Sequence, residues 1–325
     1  MVKANAYGHG LVAVAKALRD ADGLAVARLD EAVQLRAAGV TQRVLLLGTL
    51  LDAAELAWCS DWHVDVCAHS PEVVASIVAA AEVHPLRVWL ELDSGMNRMG
   101  LDPEGFVEAD RQLSAQPRLL ELVHMTHFSS AEEALPATLD PQLEVFKACH
   151  GHHSGVAASL ANSAALLLRP DTHADWVRPG LMLYGINPLG RTDVPLQAAM
   201  RLSARVIAVR NVRHGEAVGY NRQWVASRDS RVATVGIGYG DGYPRHAPSG
   251  TPVWINGCGA ALAGKVSMDS IGVDVTDCER VDVGDEAVLW GPELSAALIA
   301  ERAGTISYAL FAGVTGRVLR EYGCT

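Results

Sequence analysis

The sequence predicts an α/β protein, a (β/α)8 TIM-like barrel followed by a mostly-β C-terminal domain. Over residues 11–185, short apolar runs alternate with stretches of helical period. Seven or eight strand–helix units of this kind favour a parallel sheet closed as a barrel. A doubly wound sheet shares the alternation, but no G-x-G-x-x-G follows an early strand, which disfavours a dinucleotide fold. Beyond about residue 188, strand-length runs separated by glycine-rich turns take over.

The elements follow in order. A helix-like stretch runs from Leu11 to about Asp20. Residues 23–27, 44–47, 64–67, 86–92, 119–125 and 155–160 are apolar runs of strand length, expected to be buried. Helical period recurs over 30–38, 71–81, 103–115 and 142–149. In the second half, 202–212, 230–237, 251–255, 265–275 and 286–289 read as strands, and helical signal is nearly confined to 294–303. The polar stretch 187–194 is the expected boundary, giving domains 1–190 and 191–325.

A chain of 325 residues accommodates one large domain and a smaller one. Hydrophobic residues at 50% and charged residues at 20% are ordinary for a globular enzyme. The net charge of -10, with no basic stretch, disfavours a nucleic-acid partner. No apolar run reaches the ~18 residues of a membrane span, and no leader is expected at the N-terminus. Cys59, Cys67, Cys149, Cys258, Cys278 and Cys324 are scattered without a C-x-x-C pair. Free thiols in a reducing cytoplasm are therefore expected. Cys149-His150-Gly151-His152-His153 has metal-binding composition but no second ligand cluster, so it reads as a solvated loop and no metal is expected.

Chemistry concentrates first in Lys3-Ala4-Asn5-Ala6-Tyr7-Gly8-His9-Gly10. A lysine where a strand would yield to a loop and helix suits a Schiff base with a carbonyl cofactor, whose phosphate the loop can hold. Most lysines are solvated surface groups. The chain has only four, Lys3, Lys16, Lys147 and Lys265, and Lys3 alone has a glycine-rich, aromatic setting. Further polar residues follow successive expected strand ends: Arg98 in Asp93-Ser94-Gly95-Met96-Asn97-Arg98, then His127, then Asn162-Ser163, then Arg178-Pro179-Gly180. Each alone is ordinary. Together they mark the end of a barrel where active sites lie. In the second domain, Gly238-Tyr239-Gly240-Asp241-Gly242-Tyr243-Pro244-Arg245 carries turn chemistry.

The octapeptide resembles the pyridoxal-phosphate lysine signature of bacterial alanine racemases, and later segments fit that family in order over essentially the whole chain. The resemblance implies a Schiff base of pyridoxal 5'-phosphate on Lys3. Tyr7, Ser163, Gly180, Leu181 and Tyr322 would serve its phosphate beside Asn162. Tyr322 closes Arg317-Val318-Leu319-Arg320-Glu321-Tyr322, where Leu319 replaces the family's proline. Arg98 would meet the cofactor's phenolic oxygen, and Arg178 its pyridine nitrogen with His127 behind. An arginine keeps its proton, so that nitrogen stays unprotonated and the electron sink is weak. Tyr239 would be the second base, serving the L face of Cα while Lys3 serves the D face. With a free-tyrosine pKa near ~10, the site must favour tyrosinate or couple it to a neighbour. Met268 and Asp269 would hold the substrate carboxylate. Family members are homodimers that share active sites, with Tyr239 and Met268 coming from the partner. Tyr220 matches a structural or entrance position.

The implied activity interconverts L- and D-alanine in the cytoplasm, giving D-alanine for peptidoglycan or L-alanine for catabolism. A broad-specificity or serine racemase on the same scaffold, or an inactive fragment of the racemase, is the alternative. A non-catalytic cofactor-binding barrel would lack the second domain and Tyr239. A related decarboxylase would carry a cysteine-bearing substrate motif that neither Cys258 nor Cys278 matches. Three departures stand out. Family members carry a few dozen residues before the lysine motif, so the first barrel strand is expected to be largely missing and the start to lie upstream. Glu91 replaces a lysine that is often carbamylated, and it could charge-balance Arg98 directly. Ala309 replaces a usual glutamate after Tyr308.

Overall fold

Six of the apolar runs form parallel strands: β1 (Gly23–Val26), β2 (Arg43–Leu46), β3 (Val64–Ala68), β4 (Leu86–Leu92), β5 (Leu119–Thr126) and β6 (Ala157–Ser159), paired in that order. Shorter contacts extend both edges. Val2 N donates to Ala25 O at 2.9 Å beside β1, and Trp176 bridges Ser159 beside β6. The Met1 amino group reaches Pro179 O at 3.0 Å. The half-barrel is TIM-like: the parallel sheet holds six strands among the described residues rather than the eight of a closed (β/α)8 barrel, with one hydrogen bond at the β1 edge and one bridge at the β6 edge. The computed structural model describes the chain apart from residues 134–135, 152–154, 191–193 and 324–325.

Side chains alternate across each strand. Ala25, Leu45, Cys67, Trp89, Val123 and Met125 share one buried cluster, against which Met1, Leu47, Ala157 and Trp176 pack. The same period places Arg43, Asp65, Arg87 and Glu121 on that inner face at the strands' N-terminal ends. There Arg43 pairs with Asp65 and with Glu121 (2.8 Å), and Trp89 Nε1 donates to Asp65 at 2.9 Å. Glu91 lies on the same face of β4 at the opposite end.

Helices Leu29–Ala37, Ala53–Asp61, Pro71–Ala81, Pro103–Ser114 and Pro136–His150 connect the strands. Ser70-Pro71 and Asp102-Pro103 start two of them with a capping side chain and a proline in the first turn. Ala53–Asp61 was not expected. Its alanines give little contrast between faces, and Asp52 with Glu55 supplies the capping box that starts it. Cys149 and His150 are not in a solvated loop: they end Pro136–His150, Cys149 is buried, and His150 Nδ1 lies 3.1 Å from His124 Nδ1. His152 and His153 lie outside the described residues, as do Cys324 and residues 191–193 of the expected boundary.

The second unit has strands β7 (Leu202–Val212), β8 (Ala217–Val218), β9 (Trp224–Val225), β10 (Ser230–Val235), β11 (Pro252–Ile255), β12 (Cys258–Leu262), β13 (Ile271–Asp274) and β14 (Glu286–Trp290). Six close an antiparallel barrel in the order β10-β13-β12-β11-β14-β7, and β8–β9 form a separate pair. The Gly/Ala-rich β12 was unforeseen. Asn256 and Gly257, both at positive φ, join it to β11 in a two-residue hairpin. The expected strand 265–275 is a strand only over Ile271–Asp274. Helix Ser307–Gly313, also unexpected, follows Ala296–Arg302.

The expectation of free thiols fails at one pair: Cys258 and Cys278 are joined by a disulfide. The β12–β13 pairing brings together positions that sequence spacing does not. By contact, the units are Met1–Ala6, Gly10–Met182 and Asn187–Val194 for the first, and Tyr7–His9, Leu183–Ile186 and Pro195–Thr325 for the second.

Candidate active site

Lys3 opens a turn of left-handed hand. Ala4, Asn5, Ala6 and Tyr7 have φ of 53°, 55°, 52° and 50°, and Ala6 N donates to Val2 O at 2.7 Å. This conformation costs an L-residue ~1–2 kcal/mol, with Asn the best tolerated after Gly. Neighbouring hydrogen bonds hold the turn against that cost. Buried Glu31 accepts from Asn5 N at 3.2 Å through Oε1, and from Ala27 N at 2.9 Å and Arg28 N at 3.2 Å through Oε2. Asn5 accepts from Leu11 N (2.8 Å, side chain) and Gly10 N (2.9 Å, backbone).

Around Lys3 the first unit gathers Arg98, His127 and Arg178. Burial and the Arg98 charge hold the Lys3 amine below its ordinary basicity, with Glu31 and Glu91 opposing. Burial and the charges of Arg178, Arg98 and Lys3 depress His127 to about 3, so it is neutral at physiological pH. Burial lowers Arg178 to about 10, against Glu91 and Cys67, and it stays protonated at neutral pH. Its guanidinium donates to Ser159 Oγ and Thr126 O, both at 2.5 Å. Glu91 is buried and accepts from Cys67 Sγ at 3.6 Å.

Asn162 and Ser163 divide their roles. Asn162 Oδ1 caps helix Ser163–Leu168 through Ala164 N (3.1 Å) and Ala165 N (3.0 Å). Ser163 Oγ accepts from Gly180 N at 2.8 Å and Met182 N at 3.5 Å. With both contacts made as acceptor, its own O–H can donate to an anion.

In the second unit, the Tyr7 ring lies 4.9 Å from that of Tyr184 and 5.5 Å from that of Tyr308. Burial, then Tyr308, pushes its hydroxyl up to about 12. Gly8 has φ +78, and a Cβ there would sit 1.9 Å from Phe311 O, so the approach excludes any larger residue. Arg320 donates to Gly8 O and Val314 O, both at 2.9 Å. Tyr239 opens the turn Tyr239–Asp241 after β10. Its ring is partly exposed, with the Arg245 guanidinium carbon 5.8 Å from the ring centroid. Met268 and Tyr322 are exposed. Asp269 pairs with Arg317.

Comparison with known proteins decides the family. Residues 1–188 match the family described as "Alanine racemase, N-terminal domain", and 199–322 match "Alanine racemase, C-terminal domain". The chain belongs to the alanine racemase family. It is 44% identical to an alanine racemase of Yersinia pestis, covering 99% of this chain and 90% of that one. The biosynthetic alanine racemase crystal structure from Pseudomonas aeruginosa superposes with a TM-score of 0.94 at 44% identity, covering 99% of this chain and 91% of that one. The Bartonella henselae alanine racemase, solved with covalently bound pyridoxal phosphate, has a TM-score of 0.90 at 29% identity, covering 97% and 89%.

Within this racemase fold the first unit brings together Lys3, Arg98, His127 and Arg178, and it links Ser163 to Gly180. Tyr7, Tyr239, Met268, Asp269 and Tyr322 belong to the second unit. Leu181 is buried at the start of the 3-10 turn Leu181–Tyr184. Sequence reasoning missed Glu31. Its only local signal is an acid at the third position of a helix, which reads as a cap and not as a clamp on Asn5. It also missed Arg317, whose partners lie 76 and 48 positions away in the chain, at Asp241 and Asp269.

Proposed function

We propose that the protein is a pyridoxal-phosphate-dependent alanine racemase attached to its cofactor through Lys3. The observation that carries this is Lys3 itself: an amine of lowered basicity, at the head of a strained turn, surrounded by Arg98, Glu31 and Glu91. Strain of this kind concentrates at functional sites. The donor set suits the cofactor. A primary amine meets an aldehyde. The Ser163 hydroxyl and the Leu181 amide, with the Tyr7 and Tyr322 phenols, suit a phosphate, beside Gly180, whose N–H already donates to Ser163 Oγ. Arg98 suits a phenolic oxygen, and Arg178 a pyridine nitrogen.

When bound, pyridoxal phosphate delocalises the electrons left on Cα once its proton departs. Lys3 removes or returns that proton on the D face. Tyr239 of a second copy of the chain does so on the L face, which makes the active unit a homodimer. Arg178 keeps its own proton, so a pyridine nitrogen held against it would stay unprotonated and the electron sink it supplies would be weaker, which would limit side reactions. Neutral His127 behind Arg178 adds no further charge. Arg98, with backbone N–H groups of the Met268–Asp269 segment, receives the substrate carboxylate, while the Asp269 side chain stays paired with Arg317. The setting is cytoplasmic, and the product is D-alanine for peptidoglycan or L-alanine for catabolism.

The test is borohydride reduction of the protein loaded with pyridoxal phosphate, followed by peptide mass mapping and by Cα deuterium uptake from deuterium oxide. The reading requires the added mass on the Lys3 peptide and exchange from both alanine enantiomers. Added mass elsewhere, or exchange from neither enantiomer, overturns it.

A further inference from the structure

Arg317 stands between the two segments that the proposed function uses from the second unit. Its Nη2 donates to Asp269 Oδ1 at 2.6 Å, and its Nε lies 3.3 Å from Asp241 Oδ1. A Cβ added at Gly240 would lie 2.2 Å from Arg317 Nη1, so the guanidinium rests on the residue that follows Tyr239. The other oxygen of Asp241 accepts from Gly238 N at 2.9 Å and closes the turn that presents Tyr239.

Backbone bonds run in the same direction. Tyr239 N donates to Ser267 O at 3.0 Å, and Gly240 N donates to Met268 O at 2.9 Å. Thr315 adds its hydroxyl to Gly240 O and its N–H to Asp241 O, both at 3.0 Å, and Arg317 N donates to Thr315 Oγ1 at 3.3 Å. One guanidinium therefore meets a carboxylate on each of the two segments, Asp241 in the Tyr239 turn and Asp269 beside Met268.

We infer that Arg317 is a positioning residue for proton transfer: it ties the Tyr239 turn to the Met268–Asp269 segment and so fixes where the phenol stands over the substrate's Cα. It acts through Asp241 and Asp269. This rests on the reading of Tyr239 as the second base. A planar, five-donor fork can serve two carboxylates at once, whereas a lysine offers a single charge centre. Displacing a reacting group by about 1 Å costs up to ~100-fold in rate.

Rates alone do not separate positioning from general damage, because equilibrium fixes the ratio of kcat/KM in the two directions. Primary isotope effects do. In two-base racemisation, Cα-deuterated L-alanine reports the Tyr239 step and Cα-deuterated D-alanine reports the Lys3 step. The holoenzyme is measured as wild type, Arg317→Ala, Arg317→Lys, Asp269→Asn and Tyr239→Phe.

The inference expects Arg317→Ala to lower kcat by ~10- to 100-fold. The isotope effect with L-alanine should rise and that with D-alanine should fall, with Arg317→Lys and Asp269→Asn intermediate in the same sense. Both isotope effects unchanged in the Arg317 variants, whatever the rate, would overturn it. If Arg317→Ala does not fold, Arg317→Lys and Asp269→Asn decide by the same criterion. Tyr239→Phe separates the two claims. Wild-type exchange from L-alanine in that variant would remove the second base itself, whereas its loss alongside symmetric Arg317 variants would remove only the role of Arg317.

Discussion

Ala4→Gly should stabilise this protein, the reverse of what glycine does in an ordinary helix. Ala4 has φ 53° and is exposed, so its methyl group bears left-handed strain without burying apolar surface. Relieving the strain returns ~1–2 kcal/mol. Glycine's extra freedom in the unfolded chain takes back ~0.5–1 kcal/mol. The net expectation is a gain of about 0.5–1 kcal/mol. Ala13→Gly, in the right-handed helix Leu11–Ala17, is the internal control and should lose about 1 kcal/mol. Urea-unfolding midpoints at unchanged slope read both variants. A loss in Ala4→Gly equal to that in Ala13→Gly would show that the turn is not left-handed in solution. The argument that strain is stored beside Lys3 would then fail with it.

Other consequences follow from the same geometry. Burial keeps His127 neutral down to about 3. Unfolded histidine binds its proton near ~6.5, so the contribution of His127 to stability is fully present above that pH. It is lost at up to ~1.4 kcal/mol per pH unit as pH falls from ~6.5 toward the folded value. The His127 ring resonances should therefore be flat from pH 8 to 5 by NMR, and a titration centred near 6.5 would refute the burial argument. Glu91→Gln removes a charge that raises Lys3. The pH dependence of Lys3 acylation in the cofactor-free protein should shift to lower pH, and an unshifted curve would sink the role given to Glu91. Intact mass under non-reducing conditions should be 2 Da below that of the reduced protein, from Cys258–Cys278. Cys258→Ser should cost about 3 kcal/mol relative to the oxidised form, from loop closure. Equal masses before and after reduction would remove the bond.

The parts of this fold that sequence made legible are those with a strong local period. β3, β4 and β5 are short apolar runs, and Pro71–Ala81 and Pro103–Ser114 announce their starts with Ser-Pro and Asp-Pro. Local period fails where side chains are small: Ala53–Asp61 and β12 have too little contrast between faces to register. It fails again where handedness is set from outside the segment. Lys3-Ala4-Asn5-Ala6-Tyr7 has the composition of an ordinary helix start, and nothing in it specifies positive φ. Glu31 supports it from outside the segment, by accepting the Asn5 N–H in the course of capping its own helix.

The same distinction orders the candidate site. Lysine, arginine and tyrosine in short glycine-rich motifs were visible because their chemistry is local to the motif. The residues that set their geometry were not. Glu31 acts on Asn5 from 26 positions away, and Arg317 acts on Asp269 from 48. Sequence thus names the groups proposed to react, while the fold names the groups proposed to aim them. The second kind carries most of the testable consequence, because a misaimed base shifts isotope effects and pH profiles before it abolishes turnover. In this chain the charges follow that logic. The charges of Lys3, Arg98 and Arg178 all bear on His127, and Arg98 bears on Lys3, where Glu31 and Glu91 oppose it. Glu91 acts by charge alone, whereas Glu31 also fixes backbone, so Glu31→Gln should alter both the basicity of Lys3 and the stability of the turn. Glu91→Gln should alter only the first.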